Sequence, residues 1–295
     1  MEQSVKQQFE DYVKLTEQKL DEFLPVKYPR EIWESMRYSV LAGGKRLRPM
    51  LCLETCKVLS GSYEQAIPTA CAIEMLHTQS LIHDDLPCMD NDDYRRGKLT
   101  NHKKFGESTA VLAGDALLSF APQIILQKTP NIVSKDRILK VLEEFVIAAG
   151  AEKLIAGQIV DIASEGKQID KDTLNFIHEN KTAALFKLSV RTGAILAGAD
   201  EKIINALTMY AEKLGLAFQI MDDILDVTAT LQELGKTPGK DAQENKVTYI
   251  SFYGMDESKK QLISLCDDAC DILKKNKIES DILREVVKSI KERVV

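Results

Sequence analysis

Two aspartate clusters, Asp84-Asp85-x4-Asp90 and Asp222-Asp223-x2-Asp226, interrupt stretches that otherwise read as apolar helix, LIHDDLPCMDNDD and FQIMDDILD. A carboxylate cannot sit on a core-facing helix stripe unpaired, because removing it from water costs several kcal/mol. Such a chain either turns these stripes to solvent, paired with nearby Lys or Arg, or folds around a hollow where something positive stands opposite them. Asp222 and Asp226 are four residues apart and share one helix face. Their neighbours Phe218, Ile220, Met221, Ile224, Leu225 and Val227 leave little room for a water-facing stripe. Asp84 and Asp90 point apart on a straight helix, but Pro87 lies between them and cannot donate its backbone hydrogen bond. The expected bulge or break brings Asp90 back to the face of Asp84.

Grouped carboxylates without Cys or His at metal-ligand spacing suit hard cations such as Mg2+. Magnesium held by a few carboxylates keeps its remaining positions for water and substrate phosphates. The pattern therefore points to a diphosphate gripped through magnesium ions that are held from two sides.

Helical periodicity recurs along nearly the whole chain. With Gly 15 and Pro 8 in 295 residues there are few turns, which argues against many short strands. Helices are expected over about 4–24, 30–41, a segment carrying Pro49 and ending before Gly61, then 64–90, 107–127, 135–164, 170–179, 181–197, 201–229, 256–275 and 279–293. A mobile loop is expected near 233–246. The fold class this implies is all-α: one large helical bundle, residues 1–295 as a single domain, around a central apolar cavity. A net charge of -6 gives no support for nucleic-acid binding. The opening MEQSVKQQFEDYVK is too polar for a signal or transit sequence, and no apolar run of about 18 residues suggests a membrane span. Cys52/Cys56 and Cys266/Cys270 are spaced four apart, as reduced core residues on helix faces rather than a zinc knuckle. A cytoplasmic setting follows.

Three basic groups complete the constellation: Lys45, Arg46 and Arg48 in GGKRLRP; Arg95 and Arg96 after the first cluster; and Lys181, Lys236 and Lys240. Arg grips phosphate oxygens bidentately and Lys supplies a compact charge. Each group alone reads as surface chemistry. Beside the aspartates they suit two diphosphates, one bound through metal and one directly, as in joining two substrates. His77 lies two turns before Asp84 on a similar face, as either a core histidine or a phosphate ligand.

GGKRLRP, HTQSLIHDDLPCMDNDDYRRG, HENKTAALFK, GLAFQIMDDILDVT and ELGKTPGKD, in that order and spacing, closely resemble the trans-isoprenyl diphosphate synthases of the short-chain polyprenyl synthetase family. The resemblance covers roughly residues 20–260. It is greatest to the bacterial and plastid-type branch, whose first motif carries two extra residues, here around Pro87-Cys88. The resemblance implies an all-α homodimer that condenses isopentenyl diphosphate with an allylic diphosphate (dimethylallyl, geranyl or farnesyl). Asp84, Asp90, Asp222 and Asp226 would hold magnesium on the allylic diphosphate, with Asp85 and Asp223 in support. Lys45, Arg48, His77 and Arg96 would bind isopentenyl diphosphate. Arg95, Lys181 and Lys236 would grip the allylic diphosphate near Thr182 and Gln219, and the backbone of a kinked helix at Lys181-Thr182 would help stabilise a carbocation.

Leu99 and Ile250 stand where such sequences commonly have Pro, Ala183 where Gly is frequent, and the chain ends KERVV without an Arg-rich tail. None of these removes a ligand. Gln79 occupies the position where farnesyl-forming relatives of this branch carry an aromatic floor, so geranylgeranyl diphosphate is favoured over farnesyl diphosphate. Terpene cyclases do not need Lys45, Arg48 and Arg96, and a non-catalytic subunit should have lost an aspartate cluster. A carboxylate-bridged di-iron bundle would need a pair of Glu-x-x-His motifs, and none occurs here in a suitable pair.

Overall fold

In the computed structural model of this chain, residues 3–228 and 247–294 are described. Fourteen α-helices account for most of them: α1 (Gln3–Phe23), α2 (Arg30–Val40), α3 (Leu47–Ser60), α4 (Ile67–Asp84), α5 (Asn101–Phe105), α6 (Glu107–Lys128) and α7 (Lys135–Ala149), followed by α8 (Leu154–Ser164), α9 (Lys171–Ile177), α10 (Ala184–Ala197), α11 (Glu201–Thr228), α12 (Tyr249–Tyr253), α13 (Met255–Lys275) and α14 (Asp281–Glu292). A two-stranded antiparallel ribbon, β1 (Tyr94–Arg95) and β2 (Lys98–Leu99), follows the first aspartate cluster. The fold is all-α, as the helical periodicity requires.

Two helices near the centre carry apolar or small residues on nearly every side. In α4, Pro68 sits in the first turn, where its missing N–H leaves no bond unmade. Every residue from Pro68 to Leu76 is buried. In α10 only Lys187 and Arg191 interrupt the buried run between Ala184 and Leu196. Helix α4 packs on α6 and α3, while α10 packs on α3, α11 and α7, and α13 covers α11. Helix α14 closes the C-terminal end. Ser280 caps it by accepting the Leu283 N–H, and Ile282, Leu283, Val286, Val287 and Ile290 form its buried face.

Two buried charges inside the bundle, Arg46 and Glu54, have close partners. Arg46 donates to Glu74 at 2.6 Å and to the Val40 carbonyl at 2.7 Å. Glu54 accepts from the Tyr12 hydroxyl at 2.7 Å and the Ser280 hydroxyl at 2.5 Å, joining α1, α3 and the start of α14. Arg46 is thus a structural cation, unlike its neighbours Lys45 and Arg48. The six cysteines are free. Cys52, Cys56, Cys71 and Cys266 are core residues, whereas Cys88 is exposed.

Several expected boundaries move. The helix expected over 135–164 is two helices, because Gly150 leaves helical geometry and α8 starts afresh after Lys153. The helix expected to reach residue 90 stops at Asp84. Residues 178–183 form a π-helical turn between α9 and α10. The ribbon, α5 and α12 are too short to leave a periodic signal. By length and composition α6 is apolar enough to cross a bilayer, contrary to the expectation that no segment is. A core helix passes the same test, and Ala110, Ala113, Gly114, Leu117, Ala121, Ile124 and Ile125 of α6 are buried.

Candidate active site

A cavity of about 390 Å³ opens between α3, α4, α8 and α10. Its lining carries the polar residues Arg48, His77, Asp84, Gln158, Lys181 and Thr182 and the apolar Leu154, Ile155, Ile159, Ile162 and Leu185. Gln79, Ser80 and His83 of α4 also line it.

The first aspartate cluster is shaped by the break at Pro87. Helix α4 ends at Asp84, and the chain folds back so that the Asp90 N–H donates to the Asp84 carbonyl at 2.9 Å. Inner bonds from Met89 N–H and Asn91 N–H to the Leu86 carbonyl, at 2.9 and 3.1 Å, close the loop. Asp90 therefore returns beside Asp84, as the proline predicts. Burial pushes the Asp84 carboxyl up to about 6, with Asp90 and Asp85 adding repulsion and Lys181 and Arg95 opposing it. Asp84 also accepts from the Gln158 amide at 2.9 Å.

The second member of each pair faces inward and holds structure. Asp85 is buried and bound by Arg95 at 2.6 Å, and Arg95 also reaches Asp92 at 3.3 Å. Asp223 is buried too, accepting from Gln219 Nε2 at 2.9 Å and from the Tyr249 N–H at 2.8 Å. Gln219 in turn accepts from the Thr182 hydroxyl at 2.7 Å. This chain of bonds ties the π-helical turn through α11 to the start of α12.

Asp222 and Asp226 share a face of α11, as their four-residue spacing requires, with Asp226 buried like Asp223. Asp222 lies near enough to Lys45 and Arg48 to favour their charged forms. Asp226 is buried, and its Oδ1 has no hydrogen-bond partner among the described residues.

Of the cations, Arg48 lies over the Phe186 ring at 5.0 Å, and burial lowers its guanidinium to about 10. Its Nε is a buried donor with no hydrogen-bond partner among the described residues. Burial, then Arg48, Arg96, Arg95 and Arg46, hold His77 far below the usual histidine range. It is a neutral imidazole able to donate one N–H. Arg96 takes a left-handed backbone at φ 54° and donates to the Gly43 carbonyl. Its guanidinium lies close to Gly44, where a Cβ would meet Cζ at 2.8 Å; the glycine pair itself follows from backbone at φ +87° and +131°, which favours glycine. Lys181 is paired with Asp161 at 2.5 Å. Lys236 lies outside the described residues.

Sequence reasoning missed Gln158, Asp161 and Arg293. The first two are polar interruptions of the apolar α8 sequence LIAGQIVDIAS, the signal that exposed the aspartates. Arg293, just after α14, stands close enough to Lys45 to lower its ammonium after burial has done so.

The carboxylates fit a divalent cation. Asp226 offers an unpartnered buried oxygen, and desolvation of Asp84 is a cost that a nearby 2+ charge would remove. Among the described residues no three His, Cys, Asp or Glu side chains already converge on one metal point. Ions here would draw coordination from a substrate diphosphate and water.

The polyprenyl synthetase family model matches residues 29–290. The chain belongs to that family. A geranylgeranyl diphosphate synthase of Cyanophora paradoxa is 51% identical over 256 residues, covering 86% of this chain and 85% of that protein. A dimethylallyltranstransferase of Fischerella ambigua (strain UTEX 1903) is 54% identical over 243 residues, 82% of this chain and 70% of that one. Among solved structures, an FPP/GFPP synthase of Zymomonas mobilis superposes with a TM-score of 0.87 at 36% identity, covering 99% of this chain and 100% of that one.

Proposed function

We propose that this polyprenyl synthetase condenses isopentenyl diphosphate with an allylic diphosphate to give a short-chain all-trans prenyl diphosphate, with geranylgeranyl diphosphate favoured over farnesyl diphosphate. The observation that carries this reading is one cavity whose lining combines charged and polar side chains with a set of aliphatic ones. It holds Asp84, Arg48, His77 and Lys181 together with Ile155, Ile159 and Ile162.

Magnesium held by Asp84, Asp90, Asp222 and Asp226 would neutralise charge growing on the departing diphosphate. Lys181 and Arg95 would exchange their Asp161 and Asp85 partners for oxygens of that diphosphate, together with Lys236. Lys45, Arg48, Arg96 and the His77 N–H would hold the isopentenyl diphosphate directly. Thr182 and Gln219, already bonded to each other, would turn oxygen dipoles toward the allylic carbocation. The isopentenyl double bond attacks that cation, and the proton then lost passes to the released diphosphate. The aliphatic lining keeps water from the cation.

A homodimer is supported by apolar side chains on neighbouring helices that the single chain leaves uncovered. Val111, Leu112 and Leu126 of α6 and Val146 and Ile147 of α7 are all exposed. The six free thiols suit the reducing cytoplasm.

The test incubates purified protein with isopentenyl diphosphate, magnesium and, separately, dimethylallyl, geranyl or farnesyl diphosphate, and weighs the chains by mass spectrometry. Elongation of at least one starter is expected; condensation of none refutes the reading. Gln79 lines the cavity, so Gln79→Phe should shorten the main product by about one five-carbon unit, a bulk effect on pocket depth. An unchanged product spectrum would remove Gln79 from the chain path.

A further inference from the structure

His83 is the last α4 residue before the metal-binding aspartate, one turn beyond Gln79, and both side chains line the cavity. Both nitrogens of its ring are engaged. Nε2 lies 3.1 Å from the Val111 carbonyl of α6, and Nδ1 lies 3.1 Å from the Gln79 side-chain nitrogen. A carbonyl only accepts, so Nε2 must carry the hydrogen, and Nδ1 then accepts from the Gln79 amide. Gln79 is thereby drawn along α4 toward His83 instead of across the bore. The imidazole fits into the α4–α6 seam because residue 114 has no side chain. A Cβ at Gly114 would lie 2.0 Å from Nε2, 2.4 Å from Cδ2 and 2.8 Å from Cε1. Gly114 has no positive φ, so room for the ring, rather than backbone strain, is what it provides.

We propose that His83, seated on Gly114 and tethered to Gln79, is a specificity-determining residue that sets how far the growing prenyl chain can extend along the cavity, with Gly114 as its positioning residue. The proposal rests on the condensation reading above. The imidazole fills the seam between α4 and α6 and forms part of the cavity lining. Removing it would open a groove onto Gly114. A methyl group at 114 would instead push the ring out of its seat and into the cavity, since overpacked seams respond by displacing the movable side chain.

The two substitutions therefore act in opposite directions. With isopentenyl diphosphate, magnesium and an allylic starter that the wild type elongates, His83→Ala should shift the main product longer by at least one five-carbon unit. Gly114→Ala should shift it shorter. The double variant, in which the ring that a Cβ would strike is gone, should return to products at least as long as those of wild type, even where Gly114→Ala alone folds poorly. Circular dichroism reports folding, and mass spectrometry the chain lengths. Wild-type product lengths from His83→Ala and from the double variant, or a shortened product from His83→Ala, overturn the proposal. A wild-type protein that elongates no starter overturns the condensation reading instead, so the two failures are distinguishable.

Discussion

Replacing Asp84 or Asp222 by alanine is expected to lower turnover by a factor of about 10³ or more, the scale of losing a group aimed at transition-state charge, while the helical fold stays intact. The two sites belong to different helices, α4 and α11, and each would remove a carboxylate from one side of the diphosphate. Folding should tolerate the loss, because the structural members of the pairs are the other two, Asp85 and Asp223. Asp84 also makes a sign-specific prediction for metal-free protein. Its carboxyl stands at about 6 in the fold against 3.8 for the ordinary group, so between these values the folded state binds more protons than the unfolded. Stability from this group is present at low pH and lost as pH rises through about 6. With chelator present, the melting temperature of wild type relative to Asp84→Asn should fall as pH goes from 4 to 7. Magnesium plus a diphosphate should reverse the loss for wild type only. Full activity of either alanine variant would dismiss the opposed-aspartate reading.

The parts of this molecule that were legible in the sequence are those whose physics is local. A 3.6-residue apolar period needs no tertiary knowledge, so α1, α2, α6, α11, α13 and α14 fall within a few residues of expectation. The break before Asp90 is signalled by Pro87, which has no N–H for the α4 ladder, while the return itself is fixed by the Asp90-to-Asp84 and Leu86 backbone bonds. What stayed hidden depends on distant neighbours. Arg46 and Arg48 look alike in GGKRLRP, yet only Arg46 meets Glu74 from another helix. Gln158 and Asp161 are single polar residues in an apolar stretch, and only the packing of α8 beside α4 and the π-helical turn gives them Asp84 and Lys181 as partners. The π register itself has no sequence signature, because it is stabilised by what presses on it.

That pressure leads to the second large effect, at Gly157. Helix α8 crosses the π-helical turn at this residue, and an added Cβ would lie 2.3 Å from the Lys181 backbone nitrogen, 2.8 Å from its Cα and 2.9 Å from the Asn180 carbonyl carbon. These are backbone atoms, so no side chain can swing aside and the helices must part. The turn is held from the far side as well, where Gly215 of α11 would bring a Cβ within 2.8 Å of Ala183 Cα. Gly157→Ala should therefore cost about 1–3 kcal/mol of stability by overpacking, seen as a lower melting temperature. It should also displace Lys181 and Thr182 together, breaking the Thr182–Gln219 bond and the Lys181–Asp161 pair. A shift of about 1 Å in groups that orient a substrate can reduce kcat/KM roughly 100-fold, well beyond what the stability loss alone would cause in a folded population. The comparison that separates the causes is Gly150→Ala at the break between α7 and α8, where an added Cβ meets only the Val146 and Ile147 carbonyls of the preceding turn. It should lower stability without the same loss of kcat/KM. Equal kinetic losses from the two glycine substitutions would show that the close crossing at Gly157 does not position the π-helical turn.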